Sequence, residues 1–422
     1  MTLQLFDNKK KEILFFTLLL IIFYRSPYIL LQGRFAAEEG TLYFANAYKY
    51  GFFYSLLFVD FKSGYLNLWA NISGILANLF TLKLAPLASN YLALVPKLLI
   101  FYFILYKESY LIDKFKHKLV LCLLILISPF NVPEIWLNSI NSQIFFCILS
   151  FLIVLNKNEK NNINYLSLFI ILISGFTGVY TCVLLPILFF KYLKFKTMQD
   201  KYNLIVLSLC TIVQFSIVIF AKTKNILYQG KLHTVDIDLI HNYLYNVPIK
   251  AFLGRNLTQF IYNNLNISIK LAFFLICIFG LLIIAYLIYY FKKNINIFKN
   301  NKFIINSLLY SFFSISLLVL VGAVGPYVGG RYAALPSFFL ITTALFLLIV
   351  MKNSNFKFFF YLIIFISIIS GAYEFKNNTK YKKHLLCFNC PNWSEEVKKF
   401  KKNNDYPLKI WPYTMKKRMY LN

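Results

Sequence analysis

Charge is what this sequence lacks most. Only 14% of its 422 residues are Asp, Glu, Lys or Arg, whereas a water-soluble globule carries about 25%. The chain is 59% hydrophobic and 19% aromatic, so there is too little polar surface to solvate it in water. Acidic residues are scarcest, at 16 against 44 Lys and Arg. Alternating strand patterning with regular turn signals is missing, which argues against an outer-membrane barrel. No small-residue cleavage site follows the first apolar run, so that run reads as a retained anchor and not as a signal peptide. A Gly-rich nucleotide loop is absent, as is any internal repeat of the kind transporters carry.

What is present is a series of long apolar runs. Residues 13–31 and 271–291 are each long enough to cross hydrocarbon, which takes about 20 residues at 1.5 Å each. The pattern predicts an all-α, polytopic transmembrane helix bundle of about eleven helices. The predicted spans are 13–31, 86–106, 118–130, 142–156, 163–177, 179–192, 203–221, 266–291, 303–322, 332–351 and 358–372. They form a transmembrane domain over 1–372, with external loops at 32–83 and 222–265. A small extracytoplasmic tail over 373–422 follows.

Lysine placement orients the bundle. Lys9, Lys10 and Lys11 precede the first span, and further lysines cluster at alternate turns. Positive charge stays on the cytoplasmic side of short loops. The expected topology in an inner (plasma) membrane is therefore N-terminus cytoplasmic and C-terminus outside. The net charge of +28 reflects these lysines and a chain-wide bias, so nucleic acid is not the expected partner; membrane lipid is.

Several polar residues stand out against this apolar background. Glu38 and Glu39 form an acidic pair a few residues beyond the first span. Leu42, Ala45, Tyr48, Phe52 and Ser55 then recur at helical spacing, which predicts an interfacial helix in the first external loop. The plain reading of the pair is a helix start, where the dipole favours carboxylates. Lys97 lies inside an apolar run, and intramembrane ionisable residues point to function; pairing with Glu134 is one role for it. Glu134, Trp136, Asn138, Asn141 and Gln143 crowd the tip of the first hairpin, a mixture suited to sugar or to ordinary interfacial placement.

Arg331 follows Gly329 and Gly330 at a helix end, with Tyr332 beside it. An Arg there can grip phosphate bidentately or simply snorkel. His233, Asp236, Asp238 and His241 gather in the second loop but match no recognised ligand spacing, so a solvated loop is the better reading and no metal site is assigned. Cys387 and Cys390 in the tail predict a disulfide in an oxidising compartment. Five other cysteines (Cys122, Cys147, Cys182, Cys210 and Cys277) lie in apolar runs as small core residues. Trp393, Val397 and Phe400 share one helical face, which predicts a tail folded back onto the membrane domain.

Taken together, the acidic pair of the first loop and the helix after it resemble the GT-C-fold integral-membrane glycosyltransferases. Residues 64–68 (GYLNL), 84–87 (LAPL), 136–141 (WLNSIN), 329–333 (GGRYA), 390–397 (CPNWSEEV) and 410–412 (IWP) resemble an uncharacterised bacterial branch of that superfamily. The resemblance spans nearly the whole chain. It implies inverting transfer of a sugar from a polyprenyl-phosphate carrier to an extracytoplasmic glycan, lipid or protein. Glu38 and Glu39 would be the catalytic pair, with a carboxylate as general base. Most members carry Asp first, and Glu reaches one methylene further, so the choice between the two stays open. Arg331 would meet the phosphate, and Arg34 would be either the ion-pair partner of the acidic pair or a second phosphate contact. No nucleotide cofactor is expected, and a divalent metal stays open. The alternatives are a cell-envelope lipid or polysaccharide transporter or polymerase, and a non-catalytic membrane protein that keeps the fold.

Overall fold

The computed structural model describes residues 2–227, 237–264, 295–322, 328–351, 355–377, 385, 390–412 and 418–422. Their regular elements are helices apart from one short antiparallel ribbon and isolated bridges. In chain order the helices are α1 (Thr2–Arg25), α2 (Pro27–Gln32), α3 (Ala45–Leu56), α4 (Leu68–Asn78), α5 (Ala85–Tyr106), α6 (Phe115–Ile127), α7 (Ser142–Val154) and α8 (Tyr165–Phe176). Then come α9 (Leu185–Phe195), α10 (Met198–Thr223), α11 (Ile237–Leu244), α12 (Lys250–Asn264), α13 (Ile295–Gly322), α14 (Arg331–Val350), α15 (Asn355–Asn377) and α16 (Trp393–Lys402). Strands β1 (Leu408–Lys409) and β2 (Arg418–Met419) close the tail.

Among the described residues, α5, α10, α13, α14 and α15 contain the five segments long and apolar enough to cross a membrane. The other predicted spans differ. The first apolar run is not one helix: α1 ends at Arg25, and Pro27 starts α2 as its first helical residue. The two predicted hairpins are built from α6 to α9, of 11 to 13 residues each, or about 20 Å at the longest. That is short of the roughly 30 Å hydrocarbon core. Every residue of α7 is buried. A helix apolar all round is a core helix as readily as a membrane span, and protein surrounds this one. The predicted span 266–291 lies outside the described residues, as do His233 and Asp236 of the second loop.

The chain divides into two compact units, Met1–Ser109 with Val132–Tyr228 and Lys376–Asn422, and Tyr110–Asn131 with Gln229–Phe375. In the first unit, α5 packs on α7, and α4 on α3 and α5. Asn67 starts α4, its side chain accepting from the Ala70 N–H at 3.2 Å. Gly74 lets α4 approach the preceding loop: a Cβ there would stand 2.6 Å from the Tyr43 carbonyl. Lys191 and Asp200 form a fully buried ion pair at 2.8 Å. The Asn156 carbonyl accepts a further bond from Lys191, and the Asn158 amide and Thr197 hydroxyl donate to Asp200, the kind of support a buried pair requires.

The second unit packs α13 on α14 and sets α12 against α14. Phe130 meets Phe338 edge-on at 5.9 Å. Ser367 donates to the Ala251 carbonyl at 2.9 Å, and the Glu374 carboxylate accepts from the Asn256 N–H at 2.8 Å.

The first loop does form a helix where one was predicted, but in two parts. A π-helical turn over Glu39–Phe44 leads into α3, which kinks at Gly51 (φ 74°). The predicted stripe does not keep to one environment: Ala45 and Ser55 are buried, whereas Tyr48 and Phe52 are exposed. Beyond it Phe53, Tyr54 and Leu57 are also exposed, an aromatic tip of the kind that sits at headgroup level.

Candidate functional site

The site grows from the break after α1. Ser26 closes α1 by donating its hydroxyl to the Ile22 carbonyl and accepts from the Trp136 indole N–H at 2.8 Å. After α2 the chain turns at Gly33 (φ 71°). A Cβ at that glycine would lie 2.4 Å from the Leu87 backbone nitrogen, so both the conformation and the space demand glycine. Arg34 then donates its N–H to Asn90 of α5 at 2.8 Å, and the Asn90 amide returns bonds to the Arg34 and Leu137 carbonyls, each at 3.2 Å. One side chain in a membrane-length helix thus ties the first loop to the hairpin tip.

Glu39 is the most completely held residue of the site. It is 2% exposed. Its Oε2 accepts from the Ala36 N–H at 2.9 Å, and its Oε1 from the Ser139 N–H at 2.5 Å and the Ser139 hydroxyl at 2.8 Å. Burial pushes its carboxyl up, opposed by the Ser139 and Ala36 donors and by the charge of Arg34. Burial pulls Arg34 down to about 10, opposed by Glu39 and Tyr28, which leaves it charged at neutral pH. Glu38, by contrast, is half-buried at the start of the π-helical turn. The adjacent carboxylates therefore differ: Glu39 ties the loop to the hairpin tip, and Glu38 keeps solvent access.

The hairpin tip is more structural than its composition suggests. Trp136 is fully buried, so its faces are closed to a sugar ring. The Asn138 carboxamide accepts from the Ile140 and Asn141 N–H groups, and the Asn141 amide donates to the Glu134 carbonyl. Both Asn side chains brace the turn that presents Ser139. Lys97 faces Trp136 and Phe145, and the charge acting on it is that of Arg25, not Glu134. Gln143 donates to the Tyr65 hydroxyl at 3.2 Å.

The tail completes the site, as the face of Trp393, Val397 and Phe400 predicted. Phe400, Leu408, Ile410 and Met419 share one core with Phe35, Phe44 and Ala85. Trp393 meets Phe35 edge-on and donates to the Leu82 carbonyl. Trp411 pairs with the loop itself, its N–H on the Phe35 carbonyl and its carbonyl on the Ala37 N–H at 2.7 Å. The Arg34 guanidinium lies 4.3 Å from the centre of its ring. Cys390 is disulfide-bonded and packs beside Ala36 and Trp411; Cys387 lies outside the described residues.

Glu396 locks the tail internally, accepting from the Tyr406 hydroxyl, the Lys409 N–H and the Lys399 ammonium. Burial alone would raise its carboxyl, but these donors outweigh burial and hold it below the ordinary 4.5. A depressed carboxyl stabilises the fold above its unfolded value and stops doing so as pH falls through the folded one. Acid titration from pH 5 downward is therefore expected to increase hydrogen exchange in α16 and β1, and Glu396→Gln to flatten that dependence. An unchanged profile in the Gln chain would remove Glu396 from the lock.

Glu38, Glu39, Arg34, Lys97, Glu134, Trp136, Asn138 and Asn141 thus all belong to the first unit. Arg331 and Tyr332 belong to the second, where Arg331 opens α14 with its guanidinium 5.2 Å from the Tyr332 ring centre. Sequence reasoning missed Arg25, Asn90, Ser139 and Trp411. The described residues hold no group of three His, Cys, Asp or Glu side chains able to bind a metal. No family model, curated protein or solved structure matches this chain.

Proposed function

We propose that the chain is a membrane glycosyltransferase of GT-C type, moving a sugar from a polyprenyl-phosphate carrier to an acceptor outside the cytoplasm with inversion. The reading rests on the resemblance of its first loop to those enzymes. The observation that supports it is the division of labour in the acidic pair. A general base must reach the acceptor hydroxyl, and a half-buried Glu38 beside a buried, triply bonded Glu39 suits one solvent-accessible and one buried carboxylate. Glu38 takes the acceptor proton and Glu39 fixes the loop that carries it; Arg331 is the residue of the second unit whose chemistry suits a phosphate, and basic groups stabilise charge developing on a departing phosphate. The topology proposed with it is about eleven spans, N-terminus cytoplasmic and C-terminus outside, in an inner membrane.

The test uses membranes containing the full chain and a panel of radiolabelled polyprenyl-phosphate hexoses and pentoses, with label followed into any acceptor. Transfer by the parent is expected, and a loss of about 10²–10⁴ in Glu38→Gln at unchanged abundance. A parent inert toward the whole panel, or a Glu38→Gln chain at parental rate, would overturn the reading and the base assignment respectively.

A further inference from the structure

A polar pocket lies at the far end of α7 from the hairpin tip. α7 runs from Ser142, beside the tip, to Val154, about 20 Å on. Beyond it the first unit is stitched into a frame. The Ser109 hydroxyl donates to the Leu155 carbonyl at 3.1 Å, the Lys157 N–H to the Glu108 carbonyl at 3.0 Å, and the Asn164 N–H to Gln199 Oε1 at 2.6 Å. The frame bounds a pocket of about 190 Å³ that opens to solvent. Five residues with carboxamide side chains line it, Asn156, Asn158, Asn162, Asn164 and Gln199, together with Ser167. Glu108, Glu159, Lys107 and Lys157 complete the lining, two charges of each sign.

Two of these side chains are buried without a partner. Asn156 is 7% exposed and Ser167 3%. Among the described residues, neither the Asn156 carboxamide nor the Ser167 hydroxyl has a hydrogen bond. Buried polar groups are ordinarily bonded, so both are set to meet a molecule that enters the pocket. Two more are half committed. Asn158 gives its NH₂ to Asp200, and Asn164 accepts from the Ser167 N–H as the cap of α8. That leaves an acceptor on Asn158 and donors on Asn164. The first turn of α8 holds no acidic residue, whereas that of α10 holds Asp200, so the positive end of α8 is unanswered. Such an end, with a hydroxyl and an amide donor beside it, suits a carboxylate. Carboxamide oxygens and Glu108 suit an ammonium. The pocket is smaller than the roughly 300–1,000 Å³ that drug-sized ligands need, and none of its lining residues is aromatic or aliphatic, which excludes a lipid chain or a nucleobase. A polyol would use the amides but neither sign of charge; a zwitterion uses all three. We propose that this pocket binds a free α-amino acid with a small or polar side chain, its carboxylate at the start of α8 with Ser167 and Asn164, its ammonium toward Asn156, Asn158 and Glu108. The site does not depend on sugar transfer.

The full-length chain, purified in mild detergent and dialysed free of amino acids, is offered the radiolabelled L-amino acids one at a time in equilibrium dialysis, with glucose and glycerol as uncharged polyols. Saturable binding of at least one small or polar amino acid is expected. Blocking that amino acid, by N-acetylation or by conversion of its carboxylate to the amide, should weaken binding about tenfold or more, because each change removes charge-assisted hydrogen bonds. A chain carrying both Asn156→Ala and Ser167→Ala should lose about tenfold or more in affinity. Neither side chain bonds to the fold, so that chain should unfold close to the parental midpoint. Should it not accumulate, the blocked amino acids still decide the matter on the parent. A parent that binds no amino acid, that binds both blocked forms as tightly as the free one, or that prefers a polyol would overturn the site. So would binding undiminished in the doubly substituted chain.

Discussion

Glu39→Ala is expected to be the most damaging single substitution in the first loop, lowering stability by about 3–5 kcal/mol. The side chain accepts three hydrogen bonds while 2% exposed. Its removal strands the Ala36 N–H and both Ser139 donors, and it takes away the Glu39 charge that acts on Arg34. Glu39→Gln is expected to do much less. The Gln carbonyl can still accept both Ser139 bonds, but its NH₂ group then faces the Ala36 N–H, donor against donor. One buried mismatch of that kind costs about 1–3 kcal/mol. Apparent unfolding midpoints of the two detergent-purified chains should therefore fall in the order parent, Gln, Ala. Equal midpoints for Gln and Ala would mean that the acceptor geometry is not what holds the loop. A further contrast separates fold from chemistry: Glu38→Gln should stop transfer and move the midpoint less than Glu39→Ala, because Glu38 is half-buried and Gln keeps its shape.

Those two carboxylates were legible in the sequence because acidic residues are so rare in it. Lys97 was legible for a similar reason, as an ionisable residue in an apolar run. The rest of the site was hidden by its chemistry. Asn90 is neutral, and nothing in α5 distinguishes a carboxamide that joins two loops from one that pairs within its own helix. Ser139 sat inside a quoted motif but looked less chemical than the asparagines on either side. The structure reverses that ranking, since Asn138 and Asn141 brace a turn while Ser139 holds the carboxylate. Arg25 did leave a signal. It is followed by Ser26 and Pro27 within an apolar stretch, and Pro favours the first turn of a new helix, so the break in the first run was readable.

Five of the predicted spans are matched by helices of membrane length among the described residues, and the difference from eleven lies in what hydropathy measures. Hydropathy records how much a segment dislikes water, not whether lipid or protein replaces the water. In α7, protein does so on every side. Segments of 11 to 13 residues such as α6 to α9 then look like spans when their apolar flanks are counted in. The face of Trp393, Val397 and Phe400 was readable as local periodicity. Its target was not, because Phe35 and Leu82 lie more than 300 positions away in sequence, and no local pattern encodes a contact at that separation.

Trp411→Ala is expected to loosen the tail from the first loop and, through Arg34, to disturb the acidic pair. The residue acts in two ways. Its backbone pairs with Phe35 and Ala37 on either side of Ala36, and a side-chain substitution leaves those bonds formally intact. Its ring, 8% exposed, covers Ala36 and lies 4.3 Å from the Arg34 guanidinium. Truncating a buried Trp to Ala costs about 3–5 kcal/mol in packing, of which the cation–ring contact is worth about 2 when desolvated. Trp411→Phe keeps a ring for Arg34 and part of the packing, so it should fall between parent and Ala. Limited proteolysis separates the local from the global effect: the Ala chain should be cut within 393–422 at protease levels that spare the parent, while α5 and α7 stay protected. Arg34→Met in the same assay should reproduce part of the loosening, because it removes the cation and keeps an unbranched apolar stem. If Trp411→Ala left the tail as resistant as the parent, the shared core of Phe35, Phe400, Leu408 and Ile410 would alone suffice to dock it. The Trp411 ring would then serve Arg34 and not the tail, and the loss in the Ala chain would be confined to the acidic loop.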